Sequence, residues 1–302
     1  MTGSGAYIGR FAPTPSGPLH FGSLVTAVGS YLDAKAHAGS WLLRIEDVDT
    51  PRIAAGAADN ILFTLERFGL FWDGDVLYQS QRLEAYEAAL EQLRNAGLLY
   101  ACSCSRKQLL EQQVPRGPLG LVYPGHCRSR QLAFDERSLR LRIETKTPTR
   151  FEDRHAGYRE LDLEREVGDI VLKRVDGIYA YHLAVVTDDA FQGVTDIVRG
   201  ADLLEVSFVH RHLAEKLGLA LPRYLHLPLV FTENGRKLSK QTGARPLDSA
   251  RASELLWQAL RFLGQRPEPD WKTASPEEIL VQATARWQPA RLPPLSETPL
   301  RA

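Results

Sequence analysis

The sequence has little of what fixes structure covalently: three cysteines among 302 residues, too few for a disulfide framework. Their grouping at Cys102, Cys104 and Cys127 points to a metal or to reduced thiols. It also lacks any run near the roughly 18 apolar residues of a membrane span. Residues 1–9 carry neither the charged start nor the apolar stretch of a signal peptide, so a cytoplasmic protein with no membrane partner is expected. Excess charge of one sign is missing too. Lys and Arg total 37 and Asp and Glu total 37, which argues against a protein that coats nucleic acid nonspecifically.

What is present is an ordinary globular composition, 44% hydrophobic and 25% charged, which excludes disordered, collagen-like and coiled-coil chains. The length suits two domains, or one large domain carrying an insertion. The neutrality is an average over unlike segments. Residues 41–100 hold ten acids against five bases, whereas residues 101–150 hold ten bases against four acids.

Residues 7–11 read as a short buried strand that runs into the Pro- and Gly-rich stretch 12–22, where regular structure is forbidden. Apolar residues at helical spacing from Leu24 to Ala36 predict a helix ending at Gly39, and residues 41–46 predict a second strand. Strand, Gly-rich loop, helix, strand is the unit that builds a parallel sheet, with ligands at the carboxyl ends of the strands. Amphipathic helices are expected over 57–68 and 82–96. Between residues 100 and 167 the pattern becomes irregular, as in an insertion. A hairpin is expected from strands 170–174 and 178–186 about Asp176-Gly177, followed by strands 194–198 and 227–231. Helices close the chain, with Ser275-Pro276-Glu277-Glu278 as a capping box, and the tail beyond Trp287 is expected to be poorly ordered.

Three constellations carry chemistry. Pro15-Ser16-Gly17-Pro18-Leu19-His20-Phe21-Gly22 is a turn feeding a helix N-terminus, whose unpaired N–H groups and positive dipole end suit a phosphate; His20 adds a donor and the glycines allow close approach. Lys237-Leu238-Ser239-Lys240-Gln241 places two lysines on one polar loop, able to reach a single polyphosphate. Cys102-x-Cys104 with Cys127 supplies three thiolates, one short of a tetrahedral zinc set. Ligand chemistry alone points to His126 as the fourth donor, although adjacent residues rarely both reach one ion.

The first two constellations resemble the HIGH and KMSKS motifs of class I aminoacyl-tRNA synthetases, here His20-Phe-Gly-Ser23 and Lys237-Leu-Ser-Lys-Gln241. Arg10-Phe-Ala-Pro-Thr-Pro-Ser-Gly17, Leu43-Arg-Ile-Glu-Asp47 with Asp49, and Val198-Arg-Gly-Ala-Asp202 resemble the glutamyl subgroup specifically, and the resemblance spans about residues 7–240. Gln241 stands where the motif has Ser, and Phe21 where it has Ile; neither change removes a charge. The resemblance implies an α/β fold: a class I Rossmann-type parallel sheet, a zinc-bearing insertion and a small helical C-terminal region. The corresponding boundaries are 1–99 and 170–245 for the two halves of the catalytic domain, 100–169 for the insertion and 246–302 for the helical region.

It also implies a site. Arg10 and Arg199 match the arginines on the side-chain carboxylate of glutamate, Glu46 the acid that receives its ammonium group, and Tyr181 an aromatic hydroxyl in the same pocket, lined further by Phe11, Ala12, Pro13 and Thr14. His20, Gly22, Lys237, Ser239 and Lys240 match the ATP site, with His20, Lys237 and Lys240 catalytic and Mg2+ accompanying ATP. The family carries Tyr at the position of Tyr123, which implies Cys102, Cys104, Tyr123 and Cys127 as the set for one structural zinc.

A full glutamyl-tRNA synthetase continues beyond its KMSKS motif into an anticodon-binding region, for which too little chain follows Gln241. The chain is therefore expected to resemble the glutamyl-Q tRNA(Asp) synthetases, shortened relatives that activate glutamate with ATP without tRNA and transfer it to queuosine in the anticodon of tRNA(Asp). Phe191-Gln-Gly-Val-Thr195 and Phe21-Gly-Ser-Leu24 support this branch, and a monomer is expected. A truncated conventional enzyme charging tRNA 3′ ends and a noncatalytic zinc-containing RNA-binding paralogue are the alternatives. The basic stretch from Arg106 to Arg150 is the candidate RNA surface.

Overall fold

A computed structural model describes residues 6–232, 235, 237–238 and 244–295. In chain order the elements are β1 (Ile8–Phe11), α1 (Phe21–Ala36), β2 (Ser40–Ile45), α2 (Ala57–Arg67), β3 (Leu77–Tyr78), α3 (Leu83–Asn95) and β4 (Leu99–Cys102). Next come α4 (Arg106–Glu111), β5 (Arg116–Gly117), β6 (Gly120–Leu121), β7 (Ser138–Leu141), β8 (Thr149–Asp153), β9 (Gly157–Leu161), α5 (Leu163–Glu166) and β10 (Ile170–Lys173). The chain continues through α6 (Tyr181–Phe191), β11 (Asp196–Gly200), α7 (Leu204–Lys216), β12 (Arg223–Leu227), α8 (Ala252–Phe262) and α9 (Pro276–Ala285).

The opening strand, helix and strand form as the apolar spacing predicts. β1 pairs in parallel with β2, and β2 with β3. On the other side β11 pairs in parallel with β12, which joins β8 through Tyr224 and Asp153. The two halves meet where β1 lies beside β11: the Thr195 N–H donates to the Ile8 carbonyl at 2.9 Å, and the Ile8 N–H to Thr195 Oγ1 at 2.9 Å. Strand order reverses at this junction, and a crevice outside the carboxyl ends of the strands is where such folds bind ligands.

Residues 178–186, expected as a strand, instead enter helix α6 at Tyr181. Leu183, Ala184, Val185 and Val186 are all buried, together with Asp188 and Asp189, so a helix enclosed on nearly every side leaves no helical period in its sequence. The strand expected at 227–231 lies earlier, at Arg223–Leu227. Residues 288–295 pack onto the body: Leu292 is buried and His155 Nε2 lies 2.9 Å from the Pro293 carbonyl. No helix among the described residues is long and apolar enough to cross a membrane.

The cysteine-bearing region folds against its own sheet, β10-β7-β4, all antiparallel. One close approach in its docking requires glycine. Gly168 adopts a positive φ of 69° beside Tyr123, where an added Cβ would fall 2.4 Å from the Tyr123 carbonyl oxygen.

One buried carboxylate ties distant segments together. Asp33 of α1 accepts from Tyr7 Oη at 2.5 Å, from Arg154 Nη1 and Nη2 at 2.5 and 3.0 Å, and from Trp287 Nε1 at 3.0 Å. Burial pushes its carboxyl up, but the Arg154 guanidinium and the Tyr7 and Trp287 donors outweigh this and hold it below the ordinary range. Its contribution to stability is therefore present above the unfolded-state carboxyl pKa and is lost as the pH falls. Asp33→Asn should cost about 3–5 kcal/mol, and urea unfolding at neutral and acidic pH should show the variant's deficit shrinking as the pH is lowered.

Candidate active site

The carboxyl ends of β1, β2, β11 and β12 enclose a cavity of about 270 Å3. Its lining includes Arg10, Phe11, Ala12, Pro13, Thr14, His20, Gly22, Glu46, Tyr181, Arg199 and Lys237, which lie far apart in sequence. Ser239 and Lys240 lie outside the described residues.

Each charged side chain arrives from a strand end or a helix start. Arg10 is the last but one residue of β1, Arg199 the last but one of β11, and Glu46 follows β2 with its N–H bonded to the Pro13 carbonyl at 3.0 Å. Tyr181 opens α6. All four are largely withdrawn from water, and a buried charge needs partners.

The partners differ in kind. Arg10 Nε donates to Asp189 Oδ1 at 3.0 Å, and Arg44 Nη2 reaches the same oxygen at 2.8 Å, so one carboxylate on α6 bridges two guanidinium groups. Arg44, fully buried, also approaches Glu46 Oε1 at 3.5 Å and donates to Gln192 Oε1 at 2.8 Å. Arg199 has hydrogen-bond acceptors around it, yet it makes no ion pair with a carboxylate among the described residues. Arg44 stands inside the Leu43–Asp47 motif without having been assigned a role, whereas Asp189 and the acceptors of Arg199 belong to no sequence motif that singles them out. Their only sequence signal is burial-prone context around polar residues.

Burial pushes the Glu46 carboxyl up to about 7 against the opposing pull of Arg44 and Arg10. Burial likewise raises the Tyr181 hydroxyl to about 12, so it stays a neutral donor. The cavity thus holds a guanidinium without a carboxylate partner together with a carboxylate that ionises near neutrality. That pairing can receive a zwitterion with a further carboxylate.

At the other end His20 is the N-cap of α1. Its Nδ1 accepts from the Ser23 N–H at 3.2 Å while its own N–H meets Ser23 Oγ at 3.5 Å, a reciprocal capping box. Capping through Nδ1 leaves the ring proton on Nε2, so the capping role and the donor role coexist. Gly22 packs directly under the ring: a Cβ there would stand 3.1 Å from His20 Cε1. Lys237 bonds Asp202 at the same rim.

Cys102, Cys104 and Cys127 converge with their sulfurs within 4.8 Å of one another. Cys104 Sγ and Cys127 Sγ lie 3.7 Å apart, and the Tyr123 hydroxyl sits 3.3 Å from Cys102 Sγ and 3.5 Å from Cys104 Sγ. A tetrahedron with metal–sulfur bonds of about 2.3 Å and metal–oxygen of about 2.0 Å has S···S edges near 3.8 Å and O···S edges near 3.5 Å. His126 is exposed and outside the cluster. Burial raises the Cys127 thiol, but hydrogen bonds from Tyr123, Ser103 and Cys104 more than offset it and bring it to about 6. Three sulfurs and a hydroxyl at these spacings suit a metal ion.

The expected RNA surface needs correction at Arg128. Its guanidinium donates to both oxygens of Asp169 at 2.7 Å and to the Ile143 carbonyl at 3.0 Å. Arg140 donates to the Asp169 carbonyl at 2.7 Å and lies over the Tyr123 ring. Both are spent inside the region, whereas Arg130 is exposed.

Residues 8–284 match the family model of the catalytic domain of class I tRNA synthetases (E and Q). A glutamyl-Q tRNA(Asp) synthetase of Pseudomonas entomophila is 55% identical over 94% of this chain and 93% of its own length. One from Pseudomonas aeruginosa is 52% identical over 99% of both. Among solved structures, a glutamate-tRNA synthetase of Elizabethkingia anophelis superposes with a TM-score of 0.79 at 25% identity, covering 99% of this chain, which spans 68% of that protein. A glutamate-tRNA ligase of Elizabethkingia meningosepticum, solved with its amino acid, gives 0.77, and this chain spans 66% of it. The chain therefore belongs to the class I tRNA synthetases of the E and Q type and, among them, to the glutamyl-Q tRNA(Asp) synthetase family, and it is a ligase.

Proposed function

We propose that the enzyme joins L-glutamate to ATP without requiring tRNA and then passes the glutamyl group to queuosine in the anticodon of tRNA(Asp). The observation that carries the first half is the placement of Arg199, without a carboxylate partner among the described residues, and Glu46 in one cavity beside the N-terminus of α1. The acceptor is taken from the name shared by relatives that match nearly end to end.

In this reading Glu46 takes the ammonium group, Arg199 and Arg10 the side-chain carboxylate, and the Tyr181 hydroxyl and the wall from Phe11 to Thr14 complete the fit. Asp189, shared with Arg44, already offsets part of the charge of Arg10, whereas Arg199 has no carboxylate beside it, so the charge offered to the ligand comes chiefly from Arg199. The substrate α-carboxylate attacks the α-phosphorus of ATP, the bond to the bridging oxygen breaks, and pyrophosphate departs. His20 Nε2–H, the α1 N-terminus, Lys237 and Lys240 bear on the developing negative charge, and Mg2+ would screen the phosphates. A queuosine hydroxyl then attacks the mixed anhydride and AMP leaves, its phosphate able to accept the proton. A second cavity of about 420 Å3 shares Thr14, Glu46 and Tyr181 with the first and is lined also by Arg52, Arg140, Arg174 and Tyr179. It is the proposed entry for the acceptor nucleoside, in the cytoplasm where tRNA resides. Zinc, held by Cys102, Cys104, Tyr123 and Cys127, would be structural because no position stays open.

Glutamate-dependent exchange of labelled pyrophosphate into ATP should proceed with no tRNA present. With tRNA added, label should reach tRNA(Asp) only when queuosine is there; absence of exchange, or esterification of a tRNA 3′ end, overturns the reading. The raised carboxyl of Glu46 has a signed consequence. In the free enzyme it must ionise to receive ammonium, so kcat/KM for glutamate should fall about tenfold per unit as the pH drops below about 7. Glu46→Gln should lower kcat/KM and abolish that limb. Elemental analysis should find one zinc per chain, lost in Cys127→Ser and weakened in Tyr123→Phe, with His126→Ala unchanged.

A further inference from the structure

The surroundings of Arg199 hold more than a binding role for one side chain. Arg199 and His226 are register partners on the parallel strands β11 and β12, so their side chains leave the sheet side by side. Arg199 Nε donates to His226 Nε2 at 3.3 Å, and Nη2 donates to Ser207 Oγ at 2.7 Å and to the Leu203 carbonyl at 3.1 Å. Nη1 lies 3.4 Å from His210 Nδ1. The Tyr224 ring lies beside the guanidinium, its centroid 5.4 Å away, and stacks on His226. His226 and Ser207 are completely buried.

These contacts admit one proton arrangement. A guanidinium has donors only, so His226 Nε2 must present its lone pair to Arg199. The ring proton therefore sits on Nδ1, 2.7 Å from Asp153 Oδ2 across the neighbouring strand β8. Asp153 is fixed in turn by the N–H groups of His155 and Ala156 at 2.9 and 2.7 Å. Burial favours the neutral ring, and a protonated His226 would point an N–H at the Nε–H of Arg199.

The four groups that hold Arg199 are two imidazoles, a hydroxyl and a carbonyl, all uncharged. The contrast with Arg10, bonded to the Asp189 carboxylate, is chemical: a carboxylate partner fixes an arginine and offsets its charge, in whole or in part, whereas neutral acceptors fix it and leave its charge for a ligand. We propose that His226, in the tautomer set by Asp153, and Ser207 are positioning residues that lock Arg199 with uncharged acceptors, and that this frame sets the preference for a side-chain carboxylate over a carboxamide. The inference rests on the reading of Arg199 as the partner of the glutamate side chain.

The experiment measures pyrophosphate exchange with glutamate and with glutamine for Arg199→Gln, His226→Gln, His226→Asn and Ser207→Ala, with unfolding midpoints recorded for each. An amide at residue 226 can keep only one of the two bonds: the Gln carbonyl oxygen reaches the position of Nε2, whereas the shorter Asn amide reaches that of Nδ1. His226→Asn should thus retain the Asp153 bond and release Arg199. Its KM for glutamate should rise about tenfold or more, its kcat should change less than about threefold, and its discrimination against glutamine should fall. Ser207→Ala should move the same way. His226→Gln should stay near wild type in KM, although it unfolds at least as readily as His226→Asn. If both substitutions of His226 raise KM equally in proportion to lost stability, or neither changes it while Arg199→Gln does, the positioning role is overturned. If Arg199→Gln leaves KM and discrimination unchanged, the underlying reading of Arg199 fails instead.

Discussion

The buried guanidinium groups govern this structure. Removing an arginine from water is costly unless its charge and most of its donors find partners, and the cavity sits among three such groups, Arg10, Arg44 and Arg199. Asp189 serves the first two from α6, which fixes that helix against β1 and β2. α7 supplies Ser207 and His210 to the third, and β12 supplies His226. The helices that cover the sheet are thus bonded to it through the same side chains that shape the cavity, so the fold and the site share one polar framework.

This framework explains the division of labour among charges. Glu46 stands beside Arg44 but at 3.5 Å, while Asp189 takes the shorter bond at 2.8 Å. Glu46 is left only partly satisfied, and burial then lifts its carboxyl toward neutrality. A carboxylate fully bridged by two arginines goes the other way: Asp189 is held below the ordinary range despite burial. Two acids that share Arg44 acquire opposite tendencies from a difference in how closely each holds its guanidinium. The one left wanting a cation is the one that faces the ligand space.

Much of this was legible in the sequence, for identifiable reasons. Strands 8–11 and 40–45 and the helix between them announce themselves through short apolar runs and helical spacing, and Ser275 through Glu278 through a capping box that the structure reproduces. Short linked motifs placed Arg10, His20, Glu46 and Arg199, and all four line one cavity. What escaped has a common cause. α6 is buried on nearly all sides, so its Val- and Ala-rich run carries no helical period and reads as a strand. Asp189 meets Arg10 across 179 residues and His226 meets Asp153 across 73, and no local pattern encodes a partner at that separation. Arg128 failed oppositely: counted as free surface charge, it is consumed by Asp169.

That last pairing also says how the cysteine-bearing region bears on the cavity. Asp169 accepts from Arg128, from the Ile143 N–H at 2.8 Å and from the Tyr100 hydroxyl, while its carbonyl accepts from Arg140. Arg140 in turn covers the ring of Tyr123, whose hydroxyl lies among the cysteine sulfurs. Asp169 and Arg140 both line the second cavity, alongside Glu46 and Tyr181. Four sulfur and oxygen donors therefore lie within two residues' contact of the wall that an acceptor nucleoside would meet. A metal that fixes the cysteine loop fixes Tyr123, Arg140 and Asp169 with it, so its effect on transfer would be exerted through the shape of that wall and not through chemistry at the ion.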